Sequence, residues 1–374
     1  MSHDRKKIGT SRRWVVKIGS ALLTDNGCGL RHELLDFWVK QIAELSDKGI
    51  ELVIVSSGAV AEGITRLGWK KRPTVVHELQ AAAAVGQMGL IQAYETCFQR
   101  YGKKTAQILL THDDISNRTR YLNARTSLNT LIKLGVIPVV NENDTVATDE
   151  IRFGDNDTLA GLVANLIDAE LLVLLTDQKG LYTSDPRKNS NAELIEQARV
   201  NDPALQGYAG EGGSLGRGGM RTKLKAATIA ARSGTHTIIA SGQEESILIK
   251  IAHGEFVGTL LTATEETVQA RKLWLANQNY LRGSVSLDDG AVRALKENGK
   301  SLLPVGVKAV NGEFKRGEII ACLDKDGREI ARGLTNYDSE QTKQIIGKSS
   351  QAVREIMGPI DEDELIHRDN MTIC

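Results

Sequence analysis

The sequence contains little of what several classes of protein require. Its only four cysteines, Cys28, Cys97, Cys322 and Cys374, are far apart and form no Cys-x-x-Cys pair. This spacing argues against a zinc site and against a redox motif, so we expect a reduced, cytoplasmic setting. Net charge is also absent, because Lys plus Arg and Asp plus Glu both number 47. The chain as a whole therefore has no charge that would attract nucleic acid or a membrane surface.

Long apolar runs are missing as well. The longest, residues 81–85 and 171–175, are far shorter than the ~20 residues needed to cross a bilayer. The basic N-terminal residues run into Arg12 and Arg13 and then a predicted strand, without the apolar segment of a signal peptide. We therefore predict a soluble protein with no membrane partner. Its 374 residues allow two domains at about 150 residues each.

Up to about residue 262, short apolar runs alternate with longer segments of helical period, which predicts a β-α-β-α order. Between the first two runs, Leu35, Trp38 and Ile42 share one helical face, and Gly49 is placed to end that helix. The predicted strands are residues 14–18, 52–55, 106–110, 136–140, 171–175 and 237–240. Most are nearly continuously apolar, as parallel strands buried on both faces are. We therefore predict an α/β fold with a mainly parallel sheet.

Small, polar or charged residues follow several of these strands, at residues 17–20, 56–58, 141–144 and 176–177. Open α/β sheets bind ligands outside the carboxyl ends of their strands, so we expect these clusters to converge on one site. The alternative is that polar residues simply begin loops. This alternative easily explains a single cluster. It explains less well why a lysine, a Ser-Ser-Gly turn and an acidic-amide turn all fall on the same edge of the sheet.

A glycine-rich segment, residues 213–223, leads into a predicted helix over residues 220–233 and places Lys223 in its first turns. The glycines let backbone N–H groups approach an anion, and the helix presents its positive N-terminal end there. No glycine stands directly before Lys223, so the segment is not a P-loop. We interpret it as a phosphate-binding loop; a flexible loop before an ordinary helix is the competing interpretation.

The segment Gly-Asp-Asn-Asp at residues 154–157 leads into a predicted helix over residues 158–167. Carboxylates in this position can cap the helix and complement its dipole. In a phosphate site they would orient lysines instead. The spacing alone leaves both roles open.

After residue 275 the pattern changes to short strands and tight turns. Asp324–Gly327, between apolar runs at 319–323 and 328–331, predicts a hairpin with a type I′ turn. We therefore predict a first domain over residues 1–265 and a small β-rich domain over residues 280–359. A linker over residues 266–279 would join them, and a tail would occupy residues 360–374, with its acidic residues 361–364 in solvent.

Six ordered motifs together resemble the amino acid kinase family, and within it the enzymes that phosphorylate glutamate. They lie at residues 15–20, 55–59, 141–144, 154–157, 176–182 and 216–223, and residues 314–318 and 330–333 resemble a PUA domain. The resemblance implies a three-layer α/β/α sandwich with a PUA-like C-terminal domain. Arg217 departs from the family's glycine loop, where threonine is more usual, and this bears on contacts to the nucleotide.

The resemblance implies ATP-dependent phosphorylation of the γ-carboxylate of L-glutamate, the first step of proline biosynthesis. Lys17 and Lys223 would stabilise the transferring phosphoryl group, and Asp157 would organise them. Glutamate would be bound by Ser57, Asp144 and Asn156, with Asp144 facing its α-amino group. The nucleotide would be bound by Lys17, Thr176, Asp177, Arg217, Gly218, Gly219, Met220, Arg221, Thr222 and Lys223. Mg²⁺ would lie on the ATP phosphates, and no protein ligand to a metal is implied.

The chemistry of this reaction agrees with these residue types. A γ-carboxyl group with an ordinary pKa of about 4.3 is ionised at neutral pH and needs no general base to attack phosphorus. The reaction needs charge neutralisation and in-line positioning instead, which lysines, loop amides and Mg²⁺ supply. The resemblance also implies inhibition by proline, a homodimer or homotetramer, and transient contact with the next enzyme of the pathway.

Two alternatives remain open. Another amino acid kinase, acting on acetylglutamate, aspartate or a nucleotide, is the nearest; the motifs at 141–144 and 154–157 and the PUA-like part favour glutamate. RNA binding by the PUA-like domain is the other. Residues 282–359 carry 13 Lys and Arg against 11 Asp and Glu, a net charge of +2. This is a weak footprint for a nucleic-acid backbone, so we expect no nucleic-acid partner.

Overall fold

The computed structural model describes residues 3–25, 28–146, 156–208, 219–263, 281–358 and 363–374. The chain divides into two compact units, each with its own sheet. The predicted linker at 266–279 lies outside the described residues. Of the helices in these ranges, none combines the length and hydropathy needed to cross a membrane.

The first unit contains helices and strands in alternation. Its helices are α1 (His3–Ile8), α2 (Ser20–Leu23), α3 (His32–Asp47), α4 (Ala59–Arg66), α5 (Val76–Gln99), α6 (His112–Ser116), α7 (Arg118–Lys133), α8 (Asn156–Leu166), α9 (Ala204–Tyr208), α10 (Met220–Ala231) and α11 (Ile247–Ala252). The first turn of α7, residues 118–122, groups with the second unit. Its strands are β1 (Arg13–Ile18), β2 (Thr24–Asp25), β3 (Cys28–Leu30), β4 (Glu51–Ser56), β5 (Lys104–Leu110), β6 (Val136–Glu142), β7 (Leu171–Thr176), β8 (Gln197–Arg199), β9 (His236–Ser241) and β10 (Thr259–Thr262). The six strands predicted from apolar runs are confirmed as β1, β4, β5, β6, β7 and β9.

Eight of these strands form one sheet in the order β5-β6-β4-β1-β7-β9-β10-β8. Neighbours are parallel from β5 to β9, whereas β10 runs antiparallel to β9 and β8 parallel to β10. The predicted mainly parallel sheet is therefore confirmed. The carboxyl ends of β6, β4, β1 and β7 lie side by side at one edge, where the predicted polar clusters follow.

Both faces of this sheet are covered by helices. Successive residues of a strand point to opposite faces, and Trp14, Val16 and Ile18 of β1 lie in one core with α3, α5 and α11. The intervening residues, among them Lys17, face the other side, where α8 packs against β1 and α10 packs against β9. The predicted three-layer α/β/α architecture is confirmed, and it places Lys17 in the layer formed by α8 and α10.

Helix α3 ends as its sequence predicts. Gly49 has a φ of +85°, and the N–H of Ile50 donates to the carbonyl of Leu45 at 3.1 Å. This is a Schellman motif, in which glycine provides the left-handed conformation. The buried Trp38 on α3 donates from Nε1 to the carbonyl of Gly242 at 2.7 Å, which attaches the helix to the loop after β9.

Glycines allow two helix pairs to pack backbone to backbone. A Cβ added at Gly161 of α8 would lie 2.6 Å from the carbonyl oxygen of Ala226 on α10. A Cβ added at Gly86 of α5 would lie 1.8 Å from the carbonyl oxygen of Ala59 on α4. Both distances are shorter than van der Waals contact, so each helix pair is held at a fixed, close separation.

We expect Gly161→Ala to lower the free energy of unfolding by about 1–3 kcal/mol, because the added methyl group overlaps a backbone carbonyl and forces α8 from α10. Urea unfolding followed by circular dichroism measures this. Gly207→Ala in α9 is the matched control, since a Cβ there meets nothing within 4 Å; it should change stability by less than about 1 kcal/mol, in the stabilising direction. A Gly161→Ala protein as stable as the wild type would contradict the close packing of α8 against α10.

The second unit is a mixed sheet with helices. Its elements are β11 (Gly283–Leu287), α12 (Asp289–Asn298), β12 (Val307–Gly312), β13 (Ile319–Leu323), β14 (Glu329–Leu334), α13 (Ser339–Ile345), α14 (Ser350–Met357) and β15 (Met371–Ile373). The strand order is β12-β11-β13-β14-β15, with β11 and β13 parallel and the other pairs antiparallel. A β-rich C-terminal domain is confirmed.

The predicted hairpin joins β13 and β14, but the predicted type I′ turn is wrong. That turn requires positive φ at both central residues, Asp326 and Gly327, whereas Asp168 and Ser246 are the only non-glycine residues with positive φ in the described ranges. Only Gly327 is left-handed, with a φ of +79°; its N–H donates to the carbonyl of Asp324 at 3.1 Å, and the N–H of Asp324 donates to the carbonyl of Arg328 at 3.0 Å. The glycine thus serves a bulge after the turn instead of the turn itself.

The end of the chain differs from the predicted tail. β15 pairs with β14, and Leu365, Ile366 and Met371 are buried in the core of the second unit. The acidic residues 361–364 suggested exposure to solvent, but the apolar residues that follow them are buried. Residues 365–374 therefore belong to the β-rich unit, beyond the boundary predicted at residue 359.

Candidate functional site

Asp157 lies between two lysines that are distant in the sequence. Its Oδ1 is 2.5 Å from Nζ of Lys17, and its Oδ2 is 3.0 Å from Nζ of Lys223. The Asp157 side chain is fully buried, and Lys17 and Lys223 are 5% and 4% exposed. β1 supplies Lys17, and the first turns of α8 and α10 supply the other two. The structure thus brings together all three predicted catalytic residues, which we call the lysine–aspartate cluster.

The cluster places two lysines and one carboxylate in a buried setting. Burial by itself would raise the pKa of Asp157, but the charges of Lys17 and Lys223 hold that pKa well below its ordinary range. Thr222 adds a hydrogen bond from Oγ1 to Oδ2 of Asp157 at 2.7 Å. The carboxylate is therefore ionised at neutral pH and pairs with both ammonium groups, one through each oxygen. Two buried lysine ammonium groups in one place favour binding of an anion such as phosphate.

Two helix N-termini meet at the same place. α8 begins at Asn156 and α10 begins at Met220, and the contact between Asp157 and Lys223 joins their first turns. Gly219 precedes α10 without a side-chain cap. The N–H groups of a first helical turn have no partner within the helix and carry partial positive charge, so they bind anions such as phosphate.

A chain of amide side chains runs from this cluster into the protein. Asn156 donates from Nδ2 to Oγ of Ser57 and to Oδ1 of Asn141, both at 2.9 Å. Asn141 in turn donates from Nδ2 to Oε1 of Gln87 at 2.8 Å. We call Asn156, Asn141 and Gln87 the amide chain. The structure brings two predicted substrate-binding residues, Ser57 and Asn156, into direct contact, and Asn156 adjoins Asp157.

Asp144, the third predicted substrate-binding residue, lines a cavity of about 210 Å³. Gln87 lines the same cavity, and its other walls come from α5, β5 and the residues after β6. A larger groove of about 600 Å³ is lined by residues of α3, α4 and α5 and by none of the predicted site residues. The smaller cavity is therefore the one that adjoins the candidate site.

Sequence reasoning missed Gln87. The alanine-rich pattern around it, at residues 81–91, is typical of a helix that packs closely against its neighbours. A glutamine within an alanine-rich helix gives no sign that its amide is buried. Its contact with Asn141 depends on how α5 packs beside β6, which no local pattern shows.

The predicted nucleotide-binding residues lie at the same edge of the sheet. Thr176 ends β7, one residue beyond Leu175, which pairs with Ile18 of β1. Thr176 donates from Oγ1 to Oδ1 of Asp177 at 3.0 Å, and Asp177 is exposed. Gly219, Met220, Arg221 and Thr222 lie at the start of α10. Arg217 and Gly218 lie outside the described residues.

Carboxylates, histidines and cysteines do not gather into a metal site in the part of the chain that the structure describes. Divalent ions are held by several oxygen ligands, and Mg²⁺ usually takes some of them from substrate phosphates. A magnesium ion at this edge would therefore depend on the phosphates of a bound nucleotide for its ligands.

Two family models match this chain. A model of the amino acid kinase family matches residues 12–241, and a PUA domain model matches residues 283–357. A glutamate 5-kinase from Ectopseudomonas mendocina is 59% identical over 370 residues, covering 99% of this chain and 100% of that protein. One from Saccharophagus degradans is 60% identical over 369 residues, 99% of each chain. The solved UMP kinase of Bacillus anthracis covers 68% of this chain and 97% of its own, at 17% identity and a TM-score of 0.48.

Proposed function

This chain belongs to the amino acid kinase family, and we propose that it transfers the γ-phosphoryl group of ATP to the γ-carboxylate of L-glutamate. The product would be L-glutamyl 5-phosphate, the first intermediate of proline biosynthesis from glutamate. The observation that carries the proposal is the lysine–aspartate cluster, two buried lysines held by one carboxylate, which adjoins the amide chain. Similarity over the full length to relatives named glutamate 5-kinase supports glutamate as the acceptor.

Lys17 and Lys223 are proposed to neutralise the charge that spreads over the phosphoryl oxygens in the transition state. Their ammonium groups are buried, where fixed charges act more strongly than in water. Asp157 holds the lysines in place through one carboxylate oxygen each. The N-termini of α8 and α10 add N–H donors at the same location.

Thr176, Asp177 and residues 217–223 are proposed to bind the nucleotide, and Mg²⁺ would accompany its phosphates and add positive charge. Thr176 and Asp177 stand at the carboxyl end of β7, beside that of β1, the usual ligand-binding edge of an open α/β sheet. Residues 219–222 lie at the start of α10, next to Lys223. The protein residues thus fix the position of the phosphoryl group, while the charge on the lysines favours departure of ADP.

Ser57, Asn156 and Asp144 are proposed to bind glutamate, with Asp144 accepting from its α-ammonium group. An oxygen of the γ-carboxylate attacks the γ-phosphorus as the bond to the oxygen bridging to the β-phosphorus breaks, and that oxygen leaves with ADP. No proton needs to be removed, because the carboxylate is already ionised. Since Asn156 and Asp157 are consecutive, the acceptor and the phosphoryl group would meet beside them.

We expect ADP release to depend on L-glutamate in the presence of Mg-ATP, and little release with N-acetyl-L-glutamate, L-aspartate or UMP. A coupled spectrophotometric assay measures ADP, and hydroxylamine traps the acyl phosphate as a hydroxamate that identifies the product. Absence of glutamate-dependent ADP release would contradict the proposal. Faster turnover with another of these acceptors would assign the chain to a different activity in the family.

A cytoplasmic location, inhibition by proline and assembly into a homodimer or homotetramer are further parts of the proposal, as is transient contact with the next enzyme of the pathway. The last would protect an acyl phosphate that water hydrolyses. Titration of the assay with proline tests the inhibition, and sedimentation velocity tests the assembly.

A further inference from the structure

Gln87 is paired at one end of its side chain and unpaired at the other. It is 8% exposed, and its Oε1 accepts from Nδ2 of Asn141. Its Nε2 is buried and has no hydrogen-bond partner among the described residues. A buried donor without an acceptor is unfavourable, and in native proteins such a group calls for a ligand or a water.

Backbone groups determine which end of Gln87 is unpaired. The backbone N–H of Glu142 can only donate, and it lies 2.9 Å from one end of the Asn141 side-chain amide. That end must therefore be the acceptor, Oδ1. The other end of Asn141, which faces Gln87, is then the Nδ2 donor. The Gln87 atom that it meets is the Oε1 acceptor, and the unpaired atom is Nε2 with two N–H groups.

The neighbouring residue Asn156 is fixed in the same way. The carbonyl of Ser56 can only accept, and it lies 2.8 Å from Nδ2 of Asn156. This atom also donates to Oδ1 of Asn141, in agreement with the orientation set by Glu142. The whole amide chain therefore has one polarity, which ends in an unpaired donor at Gln87.

The position of Gln87 is constrained by the packing of α5. Its neighbour Gly86 approaches the carbonyl of Ala59 so closely that a Cβ would lie 1.8 Å from it. This contact fixes the backbone of α5 against α4 directly beside Gln87. It lines the cavity of about 210 Å³ together with Asp144. A donor amide and a carboxylate on one small cavity complement an α-amino acid, which carries a carboxylate and an ammonium group on the same carbon.

We propose that Gln87 binds the α-carboxylate of the acceptor through Nε2, while Asp144 accepts from the α-ammonium group. This inference rests on the proposed function, since it takes glutamate as the acceptor. The γ-carboxylate then extends along the amide chain towards Asn156 and the lysine–aspartate cluster. Gln87 contributes to the affinity and position of the acceptor, not to the charge of the transition state.

Gln87→Glu tests the proposal because it keeps the shape and the Oε1 acceptor but replaces the donor with an anionic oxygen. We expect KM for L-glutamate to rise about tenfold or more, since a favourable pair becomes a repulsive one. kcat and KM for ATP should stay within about twofold. Gln87→Met, which removes the amide and keeps the volume, should also raise KM for glutamate.

L-Glutamate α-amide separates recognition from a structural effect, because its α-carboxamide offers N–H donors to the new carboxylate. The ratio of kcat/KM for glutamate to kcat/KM for the α-amide should fall about tenfold or more in Gln87→Glu relative to the wild type. A purely structural role would lower both values equally and leave the ratio unchanged. Gln92→Glu, an exposed position on the same helix, is the matched control and should keep the wild-type ratio.

An unchanged ratio in a folded Gln87→Glu protein, judged by its melting temperature, would overturn the inference while leaving the proposed function intact. If Gln87→Glu does not fold, an unchanged KM for glutamate in Gln87→Met would overturn it equally. Absence of glutamate-dependent ADP release in the wild-type protein would contradict the proposed function, and this inference with it.

Discussion

Lys223→Ala should lower kcat about 10²- to 10³-fold, because it removes a buried charge that acts mainly on the transition state. KM for glutamate should change less than about twofold, since the proposed acceptor-binding side chains, those of Ser57, Gln87, Asp144 and Asn156, all lie outside α10. Steady-state kinetics of ADP release, with glutamate and ATP varied separately, measure both quantities.

Lys225→Ala is the matched control for this variant. Lys225 lies on the same helix, but its side chain is exposed whereas Lys223 is buried. It should retain wild-type kinetics and stability, because exposed charges contribute little. Normal turnover in Lys223→Ala would show that this lysine does not act on the phosphoryl group. A comparable loss in both variants would point to damage to α10 in general.

Asp157→Asn should reduce both stability and turnover. The carboxylate separates two buried ammonium groups, and removing one partner of a buried ion pair costs about 3–5 kcal/mol. Because the two lysines then repel each other and shift, kcat should fall about 10²-fold, the loss that follows a displacement of about 1 Å. Urea unfolding and the ADP assay measure the two effects.

The stability loss of Asp157→Asn should depend on pH in a defined direction. The pKa of Asp157 is lowered in the folded protein, so its contribution is fully present above the ordinary carboxyl pKa of about 3.9. It is lost as the pH falls below that value and through the lowered pKa. The difference in free energy of unfolding between the two proteins should be constant between about pH 6 and pH 8 and should narrow below about pH 4.

Asp47→Asn is the control, since Asp47 pairs with Lys103 at 2.7 Å but its side chain is 70% exposed. Exposed pairs contribute less than about 1 kcal/mol. An equal loss of stability in Asp47→Asn and Asp157→Asn would show that the buried carboxylate contributes no more to stability than an exposed one.

The sheet could be predicted because its strands are buried on both faces. Residues 171–175, for example, are apolar at every position, and all of them are buried in β7. The polar residues after the strands could be assigned to one edge because parallel strands place their carboxyl ends together. The pairing of Lys17 and Lys223 with Asp157 followed from a resemblance, since no local rule connects residues on β1, α8 and α10.

The features that the sequence did not predict depend on tertiary packing. The sequence predicts Gly327 inside a type I′ turn, whereas it lies in the bulge after the turn. An Asp-Gly pair fits both structures, so the sequence does not distinguish them. Residues 371–373 join the sheet by pairing with residues 331–333, which lie 38 to 42 positions earlier in the chain. Gln87 was missed because its significance lies in an unpaired atom, which exists only once Asn141 has oriented the amide.

The proposed acceptor-binding residues and the lysine–aspartate cluster meet at a single peptide bond, between Asn156 and Asp157. One side is formed by Ser57, Gln87, Asn141 and Asn156, and the other by Lys17, Asp157 and Lys223. Substitutions on the first set can change which molecule is recognised without disturbing the charges on the second. Such a division permits evolution of new acceptors on an unchanged phosphoryl-transfer apparatus, with α5 and the segment after β6 as the places where divergence begins.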